Sequence, residues 1–201
     1  MSLIYHFCNM FNLKKFFMKK IYFIIIQLLV SFNLFAQTKS INTETSKIKW
    51  IGREITTKIH YGSLKFLDGN ISILENQVKG EVTVDMASLN VEDLSGGSKQ
   101  RLEGHLKSDD FFSVDKHKTA KLEIISSKKE GNIFMVNGTL TIKDISHPIK
   151  FKLDAQSNKA TTKLAFDRSK YNVKFRSGNF FENLGDKLIL DDIDLEVELY
   201  F

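Results

Sequence analysis

Histidines are the residues of this chain whose chemistry most often serves metal binding or proton transfer near neutral pH. Four of them lie beyond residue 36: His60, His105, His117 and His147. None has a second histidine or a cysteine at ligand spacing, whereas a zinc site needs three or four convergent ligands. His105 precedes Asp109 by four residues, which would place both on one helix face at the surface or a rim. The sequence therefore predicts no metal and no cofactor.

Adjacent carboxylates occur twice, as Asp109-Asp110 and Asp191-Asp192, and could suggest two-carboxylate hydrolysis. General acid–base catalysis needs one carboxyl group with a pKa raised by burial. Neighbouring residues of a strand point to opposite faces, so Asp191 and Asp192 could not act on one substrate together. The chain has no nucleophile elbow, and the glycine-containing stretch 95–98 follows no suitable strand. A hydrolase is the disfavoured interpretation, and we predict that the protein is not an enzyme.

The last ten residues alternate strictly between apolar and polar side chains, which predicts a β-strand with one buried face. The apolar face carries Ile193, Leu195, Val197, Leu199 and Phe201. Five inward apolar side chains in the last strand imply a large enclosed apolar space. Whether protein or ligand fills that space is the functional question.

Most of the remaining chain also consists of short alternating segments separated by turn residues. The predicted strands cover 47–53, 57–66, 70–74, 77–86, 121–127, 133–143, 147–155, 160–167 and 188–200. Asp68-Gly69 predicts a tight hairpin, and the sole proline, Pro148, stands at the start of its strand, where a missing donor does least harm. About eight amphipathic antiparallel strands close naturally into a barrel, which removes exposed edges. The fold class is therefore all-β, a single antiparallel barrel.

One stretch, 95–116, does not alternate and predicts a helical insertion near 98–112. Leu102 and Leu106 are four residues apart, on one helical face. Ser108 followed by Asp109-Asp110 is typical of a helix N-cap with acids in the first turn. We expect the insertion to pack Phe111 and Phe112 against one rim of the barrel.

The first 36 residues are predicted to be a secretory signal peptide. Lys19-Lys20 precede the apolar run 21–30, and Ala36 is a plausible cleavage position. Ten apolar residues fall short of the roughly 20 that span a bilayer, so no membrane span is expected in the mature form. No cysteine lies near the cut to accept a lipid anchor. Because Met18 directly precedes the two lysines, residues 1–17 are interpreted as an over-extended start.

Cleavage changes the charge of the protein. The four lysines of 1–36 leave 25 basic residues against 24 acidic ones. A net charge near zero argues against a nucleic-acid-binding protein, which needs a concentrated basic face. The only cysteine, Cys8, is also lost, so stability must come from a core of adequate size. We expect a short tail over 37–45 and one domain over 46–201.

Several segments together resemble the YceI family over residues 46–201. They are Trp50 in the first strand, 105–114 (HLKSDDFFSV), 136–143 (VNGTLTIK) and 146–149 (SHPI). The segments 167–171 (DRSKY) and 183–187 (NLGDK) resemble a subgroup common in Bacteroidetes. The resemblance implies a lipocalin-like extended antiparallel barrel, exported to the periplasm, whose interior holds a polyisoprenoid or similar long lipid. Lys118 and Leu122 stand where the family usually has proline and phenylalanine, which leaves the ligand's identity open.

An isoprenoid tail would suit a tube lined by branched and aromatic side chains, since each buried methylene contributes about 0.8 kcal/mol. We interpret the protein as a periplasmic carrier or sequestering protein for such a lipid. The alternative is that these side chains pack a dry core, in which case the protein is a stress-linked interaction module without a ligand. The protein could also form a homodimer. By period and position, the predicted lining is Trp50, Phe66, Met86, Leu140, Phe151, Phe166, Ile193, Leu195 and Val197.

The segment 176–187 is predicted to be a lid. Turn-forming residues at 177–178 and 184–186 flank the apolar pair Phe180-Phe181, which has no alternation or helical partners. A long loop in a small barrel is usually functional. We expect Phe180 or Phe181 to point into the barrel and contact the ligand, with Lys174 or Arg176 near a polar head group. The alternative is that both phenylalanines plug the end of a solid core.

Overall fold

The computed structural model describes residues 38–201. The predicted signal peptide, its cleavage after Ala36 and the predicted over-extended start all lie outside the described residues. The described chain contains nine strands, one α-helix and two short 3-10 helices. The strands are β1 (Thr38–Ser40), β2 (Lys47–Arg53), β3 (Ile59–Ile73), β4 (Val78–Val91), β5 (Thr119–Glu130), β6 (Ile133–Ile142), β7 (Ile145–Ala155), β8 (Lys159–Asp167) and β9 (Asp192–Tyr200); the helix is α1 (Gly96–Lys107), and the 3-10 helices are Arg168–Tyr171 and Gly185–Lys187.

Eight of the strands close into an antiparallel barrel, as predicted. Around it the order is β3-β2-β9-β8-β7-β6-β5-β4, and β4 pairs back with β3. Closure gives the barrel two ends. The helical end carries the connections 54–58, 92–118, 143–144 and 168–191, and the hairpin end carries the short turns 74–77, 131–132 and 156–158. Most irregular chain therefore gathers at one end.

The predicted hairpin at Asp68-Gly69 is wrong, because β3 runs unbroken through it. Leu67 is an extra residue in a bulge, since Phe66 pairs with Val84 and Asp68 pairs with Thr83. A Cβ atom on Gly69 would lie 2.9 Å from the carbonyl oxygen of Glu81. The glycine thus permits close approach of two strands and does not form a turn.

The predicted tail over 37–45 is partly ordered into the sheet. β1 pairs with Asn70–Ser72 of β3, and the amide of Ile41 donates to the carbonyl of Gly69 at 3.0 Å. β2 pairs with β3 only from Ile59 to Leu64. β2 therefore leaves the edge of β3 beyond Leu64 uncovered. β1 pairs with part of that edge and satisfies hydrogen-bonding groups there.

The helical insertion is confirmed, but Ser108 ends α1 and does not begin a helix. Both the amide and the hydroxyl of Ser108 donate to the carbonyl of His105, at 3.2 and 2.8 Å. The amides of Phe112 and Val114 then bond the carbonyls of Leu106 and Lys107, so the chain reverses over the last turn of the helix. Phe111 and Phe112 are buried against the rim, as predicted.

The contact between β7 and β8 is the least complete in the barrel. Its ladder consists of Asp154 with Thr161 and Ala155 with Ala160. Pro148 lies inside β7 and not at its start. The two-residue turn 143–144 makes Ile142 and Ile145 a hydrogen-bonded pair of β6 and β7. Hydrogen-bonded and non-hydrogen-bonded pairs alternate along the ladder, so the nitrogen of Pro148 points away from β6 and toward β8. The proline costs no hydrogen bond there, because β8 does not pair with that part of β7. Near the helical end the ring of Tyr171 packs against the rings of His147 and Phe166 across this junction.

Candidate functional site

The barrel encloses one large cavity of about 600 Å³, a volume within the range of small-molecule sites. All eight barrel strands contribute apolar side chains to its wall. The nine side chains predicted from alternation to face the interior all do so: Trp50, Phe66, Met86, Leu140, Phe151, Phe166, Ile193, Leu195 and Val197. Leu122 also lines the cavity, so the position that departs from the family pattern does shape it.

The cavity is open space and not a packed core. Leu164, Leu195 and Val197 face the interior yet retain accessible surface, as do Val82 and Val84 of β4. Side chains in a packed core of this size would be enclosed by their neighbours, because protein interiors leave few voids larger than a water molecule. The alternative of a filled core therefore does not fit the geometry.

Trp50 holds its place in the wall through a close approach of β3 and β4. Its indole nitrogen donates to the carbonyl oxygen of Asn90 at 3.2 Å. A Cβ atom on Gly62 would lie 1.9 Å from that same oxygen and 2.9 Å from the indole ring. Only glycine at position 62 leaves room for both contacts.

The helical end of the cavity is basic. Six of the seven basic side chains in the lining belong to this end; the seventh is Lys121 of β5. Arg53 pairs with Asp194 at 2.5 Å, and the guanidinium of Arg176 stacks on the ring of Phe175 at 5.1 Å. The six are Arg53, Lys58, His60, Arg101, His105 and Arg176. Glu54 lines the same end and pairs with Lys58, so Arg101 and Arg176 are the cations of this end without an ion pair in the described chain. The site can therefore bind a ligand with a long apolar body and a polar or anionic end.

His60 and Asp93 form a hydrogen-bonded pair at this end, with Nδ1 and Oδ2 2.7 Å apart. Burial acts to raise the pKa of Asp93, but hydrogen bonds from the Tyr61 amide and from His60 outweigh it. The pKa of Asp93 is consequently below its ordinary value of 3.8. The carboxylate is ionised at neutral pH and holds the imidazole in place beside the cavity.

His105 is the histidine with an unused polar atom at the cavity. Its ring lies between Phe175 and Phe111, with ring centroids 4.3 and 5.7 Å away. Its Nε2 atom is buried and has no hydrogen-bond partner within 38–201. This nitrogen could bond a polar atom of a ligand.

The histidines do not converge on a metal. His117 bonds Asp144 at 2.8 Å, and His147 bonds the carbonyl of Lys170 at 3.0 Å. Among the described residues no three His, Cys, Asp or Glu side chains come together in a way that could hold an ion. The carboxylate pairs also separate: Asp191 faces Arg168, whereas Asp192 is exposed on β9.

The helix α1 covers part of the mouth with its apolar face. Leu102 and Leu106, four residues apart as predicted, both line the cavity. Two polar contacts fix the helix on β4: Lys99 donates to the side-chain oxygen of Asn90 at 2.8 Å, and Glu103 accepts from the amide of Val91 at 2.8 Å. These contacts hold the helix against β4, and the helix thus forms part of the cavity wall.

Arg168 anchors the segment 172–191 that forms the rest of the mouth, and sequence reasoning did not find this role. The side chain is 0% exposed. It donates to the carbonyl oxygens of Val173, Ile189 and Leu190 at 3.1 to 3.3 Å, and its Nη2 lies 3.1 Å from Asp191 Oδ1. Its guanidinium also covers the ring of Phe111 at 5.3 Å. Burial lowers the pKa of Arg168, while Asp191 opposes that change. An arginine within a non-periodic DRSKY segment was the available signal.

The predicted placement of Phe180 and Phe181 is wrong. They are 43% and 49% exposed and do not line the cavity. Both amides donate to the carbonyl of Ser177, at 3.1 and 3.0 Å, and this turn directs the pair outward. Phe175 and Ile189 occupy the mouth in their stead. Arg176 does line the cavity, whereas Lys174 contacts the outer ring of Phe180 at 5.1 Å.

Comparison with protein families places the chain. The YceI-like domain matches residues 40–201, which is most of the chain. The chain belongs to the YceI family. A UPF0312 protein of Photorhabdus laumondii is 28% identical over 145 residues, covering 69% of this chain and 72% of the relative. A UPF0312 protein of Serratia proteamaculans is 33% identical over 103 residues, which is about half of each chain.

Two solved structures share the fold of this chain. BcnA of Burkholderia cenocepacia superposes with a TM-score of 0.63 at 18% identity, over 79% of this chain and 98% of that one. A polyisoprenoid binding domain from Saccharophagus degradans, implicated in plant cell wall breakdown, superposes with a TM-score of 0.53 at 13% identity. That match covers 80% of this chain and 95% of the other. At these identities the likeness concerns the fold. No helix within the described residues is long and apolar enough to cross a membrane.

Proposed function

We propose that this YceI-family protein is a periplasmic, non-catalytic binding protein that holds a polyisoprenoid or similar long-chain lipid inside its barrel. The observation that carries the proposal is the open cavity of about 600 Å³, lined by apolar side chains from all eight barrel strands. A long hydrocarbon gains about 0.8 kcal/mol for each methylene that it buries, so such a tail can be held without hydrogen bonds. The polyisoprenoid binding domain with the same fold supports this class of ligand.

The basic helical end supports a preferred orientation of the lipid. A tail would occupy the apolar body of the cavity, and a polar head group would lie near Arg176 and the free Nε2 of His105. Charge-assisted hydrogen bonds to an anionic head group are stronger than neutral ones.

The binding proposal is tested by native mass spectrometry and solvent extraction of protein purified from its own host. We expect a lipid mass that is lost on extraction. Val197→Trp would project an indole ring into the cavity and obstruct it, and should remove most of the lipid, while Glu196→Trp on the outer face of β9 is the matched control. Lipid-free native protein, or equal lipid in both variants, would contradict the proposal.

The periplasmic location is tested separately. Cell fractionation should recover the protein in the periplasm, and its intact mass should correspond to a chain that begins at Gln37. The predicted export segment of residues 1–36 supports this proposal. A cytoplasmic protein that retains Lys19-Lys20 would disprove it.

A further inference from the structure

Exposed apolar side chains concentrate at the helical end of the barrel. Within 38–201, eight large hydrophobic side chains are exposed. Leu67 and Ile125 occupy bulges in β3 and β5 on the barrel wall. Tyr61 lies further along β3 than Ile59, where the amino group of Lys49 of β2 lies over its ring at 4.8 Å. The other five are Ile55, Ile59, Phe180, Phe181 and Leu190, and we call these five the mouth rim.

The segments that carry the mouth rim are adjacent, because 53–55 and 188–190 bond to each other. The amide of Ile55 donates to the carbonyl of Leu188 at 3.0 Å, and the amide of Leu190 donates to the carbonyl of Arg53 at 2.9 Å. A Cβ atom on Gly178 would lie 3.2 Å from the Leu188 side chain, which brings the turn carrying Phe180 and Phe181 to the same place.

The mouth rim borders the cavity. Arg53, Lys58, Arg176 and Ile189 belong to the same two segments and line the interior. Leu190, directly after Ile189, is exposed. One pair of segments therefore presents apolar groups both to the cavity and to the outside.

Cations flank the exposed phenylalanines. The amino group of Lys174 lies over the ring of Phe180 at 5.1 Å. Lys174, Arg176 and Lys187 make no ion pair with any residue of the described chain. The acids of 172–191 are Glu182, Asp186 and Asp191, and Asp191 is paired with Arg168. Aromatic rings next to unpaired cations, with a small excess of positive charge, match the boundary between head groups and acyl chains of an anionic bilayer.

We propose that the mouth rim docks the protein on a phospholipid bilayer that contains anionic lipid, with the cavity mouth facing the membrane. The inference rests on the proposed function, because a long-tailed lipid must enter or leave the cavity. Docking at the mouth would spare that tail an exposure to water, which costs free energy in proportion to apolar area.

The test is flotation of the mature protein with vesicles of phosphatidylcholine, with and without phosphatidylglycerol. We expect flotation with the anionic vesicles and less with the neutral ones. Phe180→Ser/Phe181→Ser should lower the partition coefficient at least about tenfold, since burial of a phenylalanine is worth more than that factor. Leu67→Ser/Ile125→Ser is the matched control, because both side chains are 56% exposed on the barrel wall, and it should stay within about twofold of the wild type.

Several outcomes would overturn the proposal. They are a wild type that does not float, a rim variant that floats as well as the wild type, and a control variant that loses as much. Equal flotation with neutral vesicles would overturn the anionic part. A dimer in light scattering that the rim variant dissociates, without flotation, would assign the mouth rim to a second copy of the chain.

Lipid extraction of the same preparations separates this proposal from the previous one. A rim variant that retains its lipid but no longer floats supports docking as a distinct property. Wild-type protein that floats but yields no lipid would refute the binding function and leave docking standing.

Discussion

Arg168 and the pair Phe180-Phe181 belong to the same segment between β8 and β9, and they reverse the usual distribution of residues in opposite ways. The arginine is 0% exposed, whereas the phenylalanines are 43% and 49% exposed. Arginine is almost never fully buried unless it is paired, and large aromatic side chains usually bury most of their area. One short segment thus contains a charge inside and two aromatic rings outside.

The buried arginine has a structural explanation. An irregular segment leaves carbonyl oxygens without partners, and a guanidinium offers five donors in a fixed geometry. Arg168 uses them on three carbonyls and lies against Asp191. The exposed rings have no such explanation within the described chain. Stability and the proposed docking therefore depend on different residues of one segment.

Arg168→Met gives the strongest test of that separation. Removal of one partner of a buried ion pair leaves the other charge and several carbonyls unsatisfied, so we expect a loss of about 3–5 kcal/mol in the free energy of unfolding. Urea denaturation followed by circular dichroism measures it. Lys170→Met, exposed in the same 3-10 helix, is the control. A loss below about 1 kcal/mol would show that Arg168 is not the anchor.

Ser177→Ala tests a smaller buried contact of the same segment. Ser177 is buried, its hydroxyl donates to Asp191 Oδ2 at 2.8 Å, and its Oγ accepts from the Asn179 amide at 3.2 Å. We expect a loss of about 1–3 kcal/mol, because Asp191 keeps its charge but loses a donor. The same denaturation experiment measures it, with Ser157→Ala in an exposed turn as the control. An unchanged urea midpoint would show that Ser177 does not contribute to anchoring the segment and that Arg168 does so without it.

Asp93 tests whether a half-buried charge after β4 also stabilises the fold. Its pKa in the folded protein is lower than its ordinary value of 3.8. The unfolded chain therefore binds more protons, so the stabilisation is complete above about pH 4 and is lost as pH falls through the folded value. Asp93→Asn should reduce the steepness with which the urea midpoint falls on acidification. An identical pH profile in both proteins would exclude the contribution.

Phe180→Ser/Phe181→Ser should have the smallest effect on stability. Neither ring is buried, so we expect a change within about 0.5 kcal/mol, alongside retained lipid and lost flotation. The urea midpoint and the mass of extracted lipid are the measurements. A destabilisation comparable to that of Ser177→Ala would erase the contrast between the two parts of the segment.

The barrel and its lining follow closely from the sequence, because alternation is a local property. Each of the nine predicted lining residues lies in a strand, and the strand's period of two assigns its side chain to the inner face. Predictions that depended on a partner elsewhere in the chain were less accurate. Asp68-Gly69 resembles a turn, but the approach of Glu81 decides that it is part of a strand.

The sequence by itself determined the fold class, most of the strands and which strand side chains face inward, because these depend on the period of apolar residues within each segment. Only the tertiary structure decided that the interior is an open cavity, that Arg168 is buried and that Phe180 and Phe181 point outward. Those features arise where segments without periodicity meet. There, hydrogen bonds place the side chains. Arg168 bonds the carbonyl of Leu190, far along the chain, and the amides of Phe180 and Phe181 bond Ser177 in a turn that no apolar period marks.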